Sequence, residues 1–303
     1  QEGQVNNLSF PFTEEKSIMK RRDFMRNAAM TTAGITLNSG QKADHRPVQK
    51  GEAGRSKIYY EIHGNRTGKP LFLAFPMLAS YGEIFGAGQA AVLSGFLDRL
   101  TDRYRVLVVD YPNIGKSHTP PAAEMTADRV CKDLLSVTSE AGFDHFAYWG
   151  YSWGGGVGIL LASRSKRVSA LVCGGWAPLG GQHTLLLRAA RANVADPSPS
   201  SMLVLRDKSQ YAQWITFHSS LQDWPEAKAV ASIKCPKLVF AGADSAPVTG
   251  GVAVPYATMI RERRKELEAM GWRVTLIPGQ GHGVGLDPAT VVPVVREFLD
   301  KVS

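Results

Sequence analysis

From residue 57 onward the apolar positions fall into two kinds of run. Short continuous runs, rich in β-branched and aromatic residues, lie at 57–64, 71–75, 104–110, 146–149, 168–176, 236–242 and 272–278. Such runs, bounded by Gly, Pro or Asp, predict strands buried on both faces. Between them lie segments with helical spacing. In 127–141 the apolar residues Val130, Leu134, Leu135 and Val137 form one face, and in 288–302 Val291, Val294, Val295, Phe298 and Leu299 do the same. Segments 92–100 and 153–163 also read as helices. Strands alternating with helices predict an α/β domain, with a parallel-rich sheet of about eight strands covered by helices on both faces. About fifty residues between the strands at 168–176 and 236–242 break the alternation. There 185–195 and 201–218 read as helices, interrupted by Asp196-Pro197-Ser198-Pro199.

The pattern is absent from the first 46 residues. Residues 1–18 are polar and aperiodic. Met19 to Arg26 then reads M-K-R-R-D-F-M-R, in which Arg21-Arg22 and the following Phe24 resemble a twin-arginine export signal. Ala28 to Leu37 is weakly apolar and far shorter than the ~20 residues of a membrane span, and a polar stretch follows it. The expectation is an N-terminal extension over 1–46 and a main domain over 47–303. Export to a bacterial periplasm is the expected fate, and no stable membrane span is expected. The alternatives are a basic amphipathic helix or a disordered tail on a cytoplasmic protein. Because 1–18 do not fit such a signal, Met19 reads as its start.

Composition narrows the picture. The chain has 303 residues, 44% of them hydrophobic, and a net charge of +8. The densest basic run, Arg261 to Lys265, is interrupted by Glu262 and followed by Glu266 and Glu268, as on a solvated helix face with i,i+4 pairs. No nucleic-acid partner is expected. The three cysteines, Cys131, Cys173 and Cys235, are too scattered for a disulfide framework or a zinc site, so no metal is expected.

The chemistry centres on 146–158, F-A-Y-W-G-Y-S-W-G-G-G-V-G. Gly150, Ser152 and Gly154 make a G-x-S-x-G match with a strand before it and a helix after it. Gly150 and Gly154, two positions to either side of Ser152, allow a sharp turn that presents its hydroxyl at the end of the sheet. The free N–H groups of the following helix favour negative charge there. An isolated hydroxyl is a weak nucleophile and needs a base, a histidine oriented by a carboxylate. In the chain order Ser, acid, His, His282 is the histidine in a Gly-flanked loop after a strand, within G-Q-G-H-G. Asp244 follows the strand at 236–242 and is the expected acid, with Asp287 second. The positions just past Trp176 offer no carboxylate.

These residues make the chain similar to the α/β-hydrolase superfamily from about Ile58 to the C-terminus. The resemblance implies an α/β-hydrolase fold, with a mostly parallel eight-stranded sheet and a small helical cap inserted at about 177–234. Trp176, Trp214 and Phe217 then either bind substrate in an apolar pocket beneath the cap or form the cap's own core. The resemblance also implies an oxyanion hole made by the N–H groups of Met77 and Trp153. Phe75-Pro76 stands where family members usually carry His-Gly, and no H-G-G-G is present. The turn at 110–117 resembles the family's D-x-x-G-x-G-x-S loop, with Asp110 in a structural role. An elbow serine argues for acylation by a small-molecule ester or lactone, without a metal or organic cofactor. Amidase or aminopeptidase, C–C hydrolase and low-turnover receptor remain as alternatives.

Overall fold

In this computed structural model, residues 47–53, 57–197, 201–249 and 251–302 are described. The export-like segment around Arg21-Arg22 lies outside them. In chain order the elements are strands β1 (Gln49–Ala53), β2 (Ile58–His63) and β3 (Lys69–Leu73), and helices α1 (Tyr81–Phe85) and α2 (Ala90–Asp98). Next come β4 (Tyr104–Val109), α3 (Ala127–Glu140), β5 (Phe146–Tyr151), α4 (Trp153–Arg164) and β6 (Val168–Gly174). The segment after β6 carries α5 (Gln182–Asn193), α6 (Ser201–Val204), α7 (Ala212–Ser219) and α8 (Glu226–Ser232). The chain then returns through β7 (Lys237–Gly242), a ribbon of β8 (Val248–Thr249) and β9 (Val252–Ala253), α9 (Tyr256–Glu262), α10 (Arg264–Ala269), β10 (Trp272–Ile277) and α11 (Pro288–Val302).

Eight strands form one sheet in the order β1-β2-β4-β3-β5-β6-β7-β10. The six from β4 to β10 are mutually parallel, and β2 runs antiparallel to both of its neighbours. This is the α/β-hydrolase fold. Every residue of β5 and β7 is buried, which is why their sequences are continuous apolar runs with no alternation. Helix α4 is buried from Gly154 to Leu161, and its glycines let it approach the sheet closely. At Gly156 a Cβ would fall 2.7 Å from the Trp176 ring.

Two departures from the sequence reading have local causes. The edge strand β1 carries only one buried residue, Ala53, so it shows no apolar run to read. The expected helix over 201–218 is divided. Asp207 accepts from the Ser209 N–H and forms a capping box with Gln210, which starts a new 3-10 turn at Lys208 before α7. Caps of this kind restart a helix because they supply partners to its first N–H groups.

Candidate active site

The β5–α4 turn is set by sterics. Ser152 sits at φ 53°, ψ −126°, a region that costs a non-glycine residue on the order of 1–3 kcal/mol. The surroundings hold it there. Its N–H donates to Gly174 O at 2.8 Å, and the Tyr151 N–H donates to Phe75 O at 2.9 Å. A Cβ on Gly154 would meet Phe75 O at 2.2 Å, so the loop after β3 presses directly on the first turn of α4. The Tyr148 hydroxyl donates to Gly154 O from beneath. The strained serine and the close glycines are the features of a nucleophile elbow.

The second component arrives from β10. The loops after β7 and β10 are bonded to each other. The Ala243 N–H donates to Ile277 O at 2.8 Å and the Asp244 N–H to Gln280 O at 3.0 Å. Gly242 admits this crossing, because a Cβ there would lie 2.2 Å from Gln280 O. His282 follows at the start of a 3-10 turn, His282–Leu286. Its Nε2 is 3.0 Å from Ser152 Oγ. Tyr256 stacks on the imidazole, with ring centres 5.3 Å apart and planes 19° apart. Tyr151 packs on it as well and donates its hydroxyl to His282 O at 2.8 Å. Burial pushes the imidazole down to about 4, so it is neutral at neutral pH.

The partner on His282 Nδ1 corrects the sequence reading. It is the hydroxyl of Ser245, at 2.9 Å, not the carboxylate of Asp244. Ser245 is fully buried, whereas Asp244 is exposed. The reason is the turn after β7, in which the Ser245 N–H donates back to Gly242 O at 3.1 Å. That closure directs Ser245 inward and Asp244 outward. Asp287 also lies elsewhere in function. Its carboxylate caps α11, accepting from the Ala289 N–H at 3.0 Å and the Thr290 hydroxyl at 2.6 Å.

The remaining candidates divide. The Trp153 N–H opens α4, where the first N–H groups have no acceptor inside the helix. The Met77 N–H instead donates to Ala74 O at 3.1 Å, closing the turn at the end of β3, so in this conformation it is not directed at an oxyanion. Trp214 and Phe217, both on α7, pack edge-on against Trp153 at 5.4 and 5.3 Å. With Tyr111, Ile114 and Met125 they line a narrow apolar crevice. Trp176 is not on that lining. It is 2% exposed and packs among Gly156, His183 and Tyr256 as core. Asp110 is buried and accepts from the Ser80 N–H and hydroxyl and from the Lys116 N–H, a structural arrangement.

Sequence reasoning missed Ser245 and Tyr256. It also missed a buried imidazole pair, in which His183 and His218 face each other through their Nδ1 atoms at 3.1 Å. Burial holds His183 down to about 4, and burial together with the facing His183 holds His218 well below the usual imidazole range. Among the described residues no cluster of three His, Cys, Asp or Glu side chains is placed to hold a metal ion, and no helix is long and apolar enough to cross a membrane.

With the geometry in place, comparison with known proteins agrees on the fold. The sequence profile of the family described as alpha/beta hydrolase fold matches residues 86–178. An enol-lactonase from Burkholderia xenovorans superposes with a TM-score of 0.60 at 20% identity, covering 83% of this chain and 100% of its own. A carboxylesterase of Nitrososphaera gargenis gives 0.62 at 15% identity, covering 84% and 98%. A haloalkane dehalogenase from Bradyrhizobium elkani gives 0.60 at 15% identity, covering 84% and 97%. At these identities the likeness is one of fold, and the chemistry rests on the site itself.

Proposed function

We propose that the protein is a serine hydrolase that cleaves a carboxylic ester or lactone through an acyl-enzyme. The observation that carries this is the 3.0 Å approach of His282 Nε2 to Ser152 Oγ at a strained elbow. As Ser152 Oγ bonds to the substrate carbonyl carbon, its proton passes to His282 Nε2. The Trp153 N–H faces the charge that develops on the carbonyl oxygen. The carbon–oxygen bond to the leaving group then breaks, and the leaving oxygen takes the proton from Nε2. Water reverses the sequence: its proton goes to Nε2, its oxygen to the carbonyl carbon, and Ser152 is released. The apolar side chains of Trp153, Trp214 and Phe217 beside the elbow suit contact with an apolar portion of the substrate. An enol-lactonase and a carboxylesterase among the structural relatives fit an ester or lactone substrate. Amide and carbon–carbon substrates use the same machinery, and a panel of esters, lactones and amides separates them.

A second reading, a ligand-binding protein of low turnover, is favoured by one observation: the Met77 N–H is already bonded to Ala74 O. A serine-directed phosphonate decides between the two. Stoichiometric labelling of Ser152, absent in Ser152→Ala, supports the hydrolase. An unlabelled Ser152 in a protein that still binds the ester points to the receptor. For location we propose export through the twin-arginine route, on the strength of Arg21-Arg22. Replacing that pair with Lys-Lys is expected to retain the protein in the cytoplasm, and undiminished export removes the idea.

A further inference from the structure

A histidine that works as a base is ordinarily backed by a carboxylate on its other nitrogen. Here that place holds a hydroxyl. Ser245 Oγ lies 2.9 Å from His282 Nδ1 and is shielded from solvent. Its backbone is held from two sides, since its N–H donates to Gly242 O and its carbonyl accepts from the Ala257 N–H at 3.0 Å. The other faces of the imidazole meet Tyr256 and Tyr151, whose phenols burial keeps protonated. The charged groups on neighbouring elements are engaged or turned away. Asp287 caps α11, Asp244 faces solvent, and Arg261 donates to Ala243 O. Lys237 lies at the opposite end of β7, donating to Ile233 O. Farther along α11, Arg296 pairs with Asp102 and Glu297 with Arg273.

We infer that Ser245 is the positioning residue behind His282, and that this neutral partner restricts the enzyme to acyl donors with weakly basic leaving groups, such as aryl or enol esters. The inference rests on the Ser152–His282 reading above. A carboxylate does two things for the imidazole: it accepts from Nδ1–H, which fixes the tautomer, and it stabilises the imidazolium as the nucleophile's proton arrives. A hydroxyl accepts from Nδ1–H equally well, but it also donates to a bare Nδ1. Both tautomers are therefore permitted, and only the one with Nδ1–H leaves Nε2 free for Ser152. The hydroxyl also offers a dipole in place of a charge, so the buried imidazolium gains little. A base that takes its proton reluctantly activates the serine less. Substrates keep pace when their carbonyl is already electrophilic and their leaving oxygen departs without full protonation. Alkyl esters and amides require both the stronger base and the proton, and fall behind.

The test compares two acetate esters that share an acyl group, 4-nitrophenyl acetate and ethyl acetate, on wild type, Ser245→Ala and Ser245→Asp. Ser245→Asp is expected to raise kcat for the ethyl ester roughly tenfold or more, with a smaller gain on the aryl ester. It should also move the acidic limb of the pH–rate profile upward by about one unit or more, as a carboxylate beside an imidazole does. Ser245→Ala should lower kcat roughly tenfold at near-constant KM, because it removes orientation and leaves substrate contacts intact. A role in packing alone changes neither the acidic limb nor the aryl-to-alkyl ratio. Ser152→Ala separates the two levels of the argument. If it retains turnover, the nucleophile assignment falls. If it abolishes turnover while Ser245→Asp leaves limb and ratio unchanged, the role of Ser245 is overturned. Should Ser245→Asp fail to fold, the wild-type profile decides: an acidic limb below pH 5 supports the neutral partner, and a limb near 7 overturns it.

Discussion

Two turns at neighbouring strand ends build this site, and they differ in what fixes them. At the end of β5, Ser152 is held by contacts that demand particular residues. Phe75 O presses on Gly154, and Gly174 O takes the Ser152 N–H. Larger residues do not fit, so the requirement is written in the sequence as G-x-S-x-G. At the end of β7 the backbone is equally constrained, with Gly242 against Gln280 O and the Ala243 and Asp244 N–H groups bonded across to the His282 loop. Yet the outcome that matters there is a phase: which of two consecutive side chains, Asp244 or Ser245, faces His282. The backbone bonds at 244 and 245 ask only for an N–H, which every residue but proline has, so no motif records the choice. A constraint on size is legible in a sequence, whereas a one-residue phase in a turn is not.

The largest effect is expected at the first turn. Ser152→Ala and His282→Ala should each reduce turnover by roughly 10⁴-fold or more, with the double variant little worse, since the pair acts as a unit. Single-turnover kinetics on an activated ester measures this, and additive losses would separate the two residues. The histidine that joins the turns gives the next effect. Burial lowers His282 and His183 to about 4, with His218 also lowered, so between pH ~6.5 and ~4 the unfolded chain binds more protons than the folded one. Stability is therefore full above ~6.5 and falls with pH through that window, by up to about 1.4 kcal/mol per pH unit for each histidine. Denaturant melts at stepped pH should show the loss, and His282→Gln should flatten its slope. A melt independent of pH over this range contradicts the buried neutral state.

Gly154→Ala probes the elbow's sterics. Its Cβ would lie 2.2 Å from a backbone oxygen, which has no rotamer to yield. A loss of about 1–3 kcal/mol is expected, together with reduced activity as Ser152 shifts. Full stability and full activity in this variant would show that the turn is looser than its contacts indicate.

What could be read in advance follows the same division. Seven of the eight sheet strands appear as apolar runs, and in β5 and β7 burial on both faces leaves no alternation to confuse them. The edge strand β1, mostly exposed, does not appear. Ser152 and His282 stand in loops marked by glycines, and the two are within hydrogen-bonding distance in the fold. Met77 was placed by resemblance to an oxyanion donor, but the turn after β3 closes on Ala74 O, a backbone matter invisible in side-chain identity. Trp176 illustrates a different limit. Composition cannot distinguish an aromatic that lines a cleft from one that fills a core, and this one fills the core against Gly156.

The smallest effect should come from the residue that the chain order favoured. Asp244 is exposed, its backbone N–H is bonded to Gln280 O whatever the side chain, and the position on His282 Nδ1 is already occupied by Ser245. Asp244→Asn keeps the shape and the backbone bond and removes only the charge. Exposed substitutions of this kind usually change stability by less than about 0.5 kcal/mol, and turnover on either acetate ester should stay within about twofold of wild type. The measurement is kcat and KM across pH, read beside a denaturant melt. A fall of roughly a hundredfold in kcat with an intact melt would mean that the turn after β7 rearranges during turnover to bring Asp244 onto the imidazole. That result would reverse the contrast between the two turns, making the second a moving part and Ser245 its resting contact. An unchanged profile leaves the hydroxyl as the group behind His282, and the exposed carboxylate as a neighbour in sequence only.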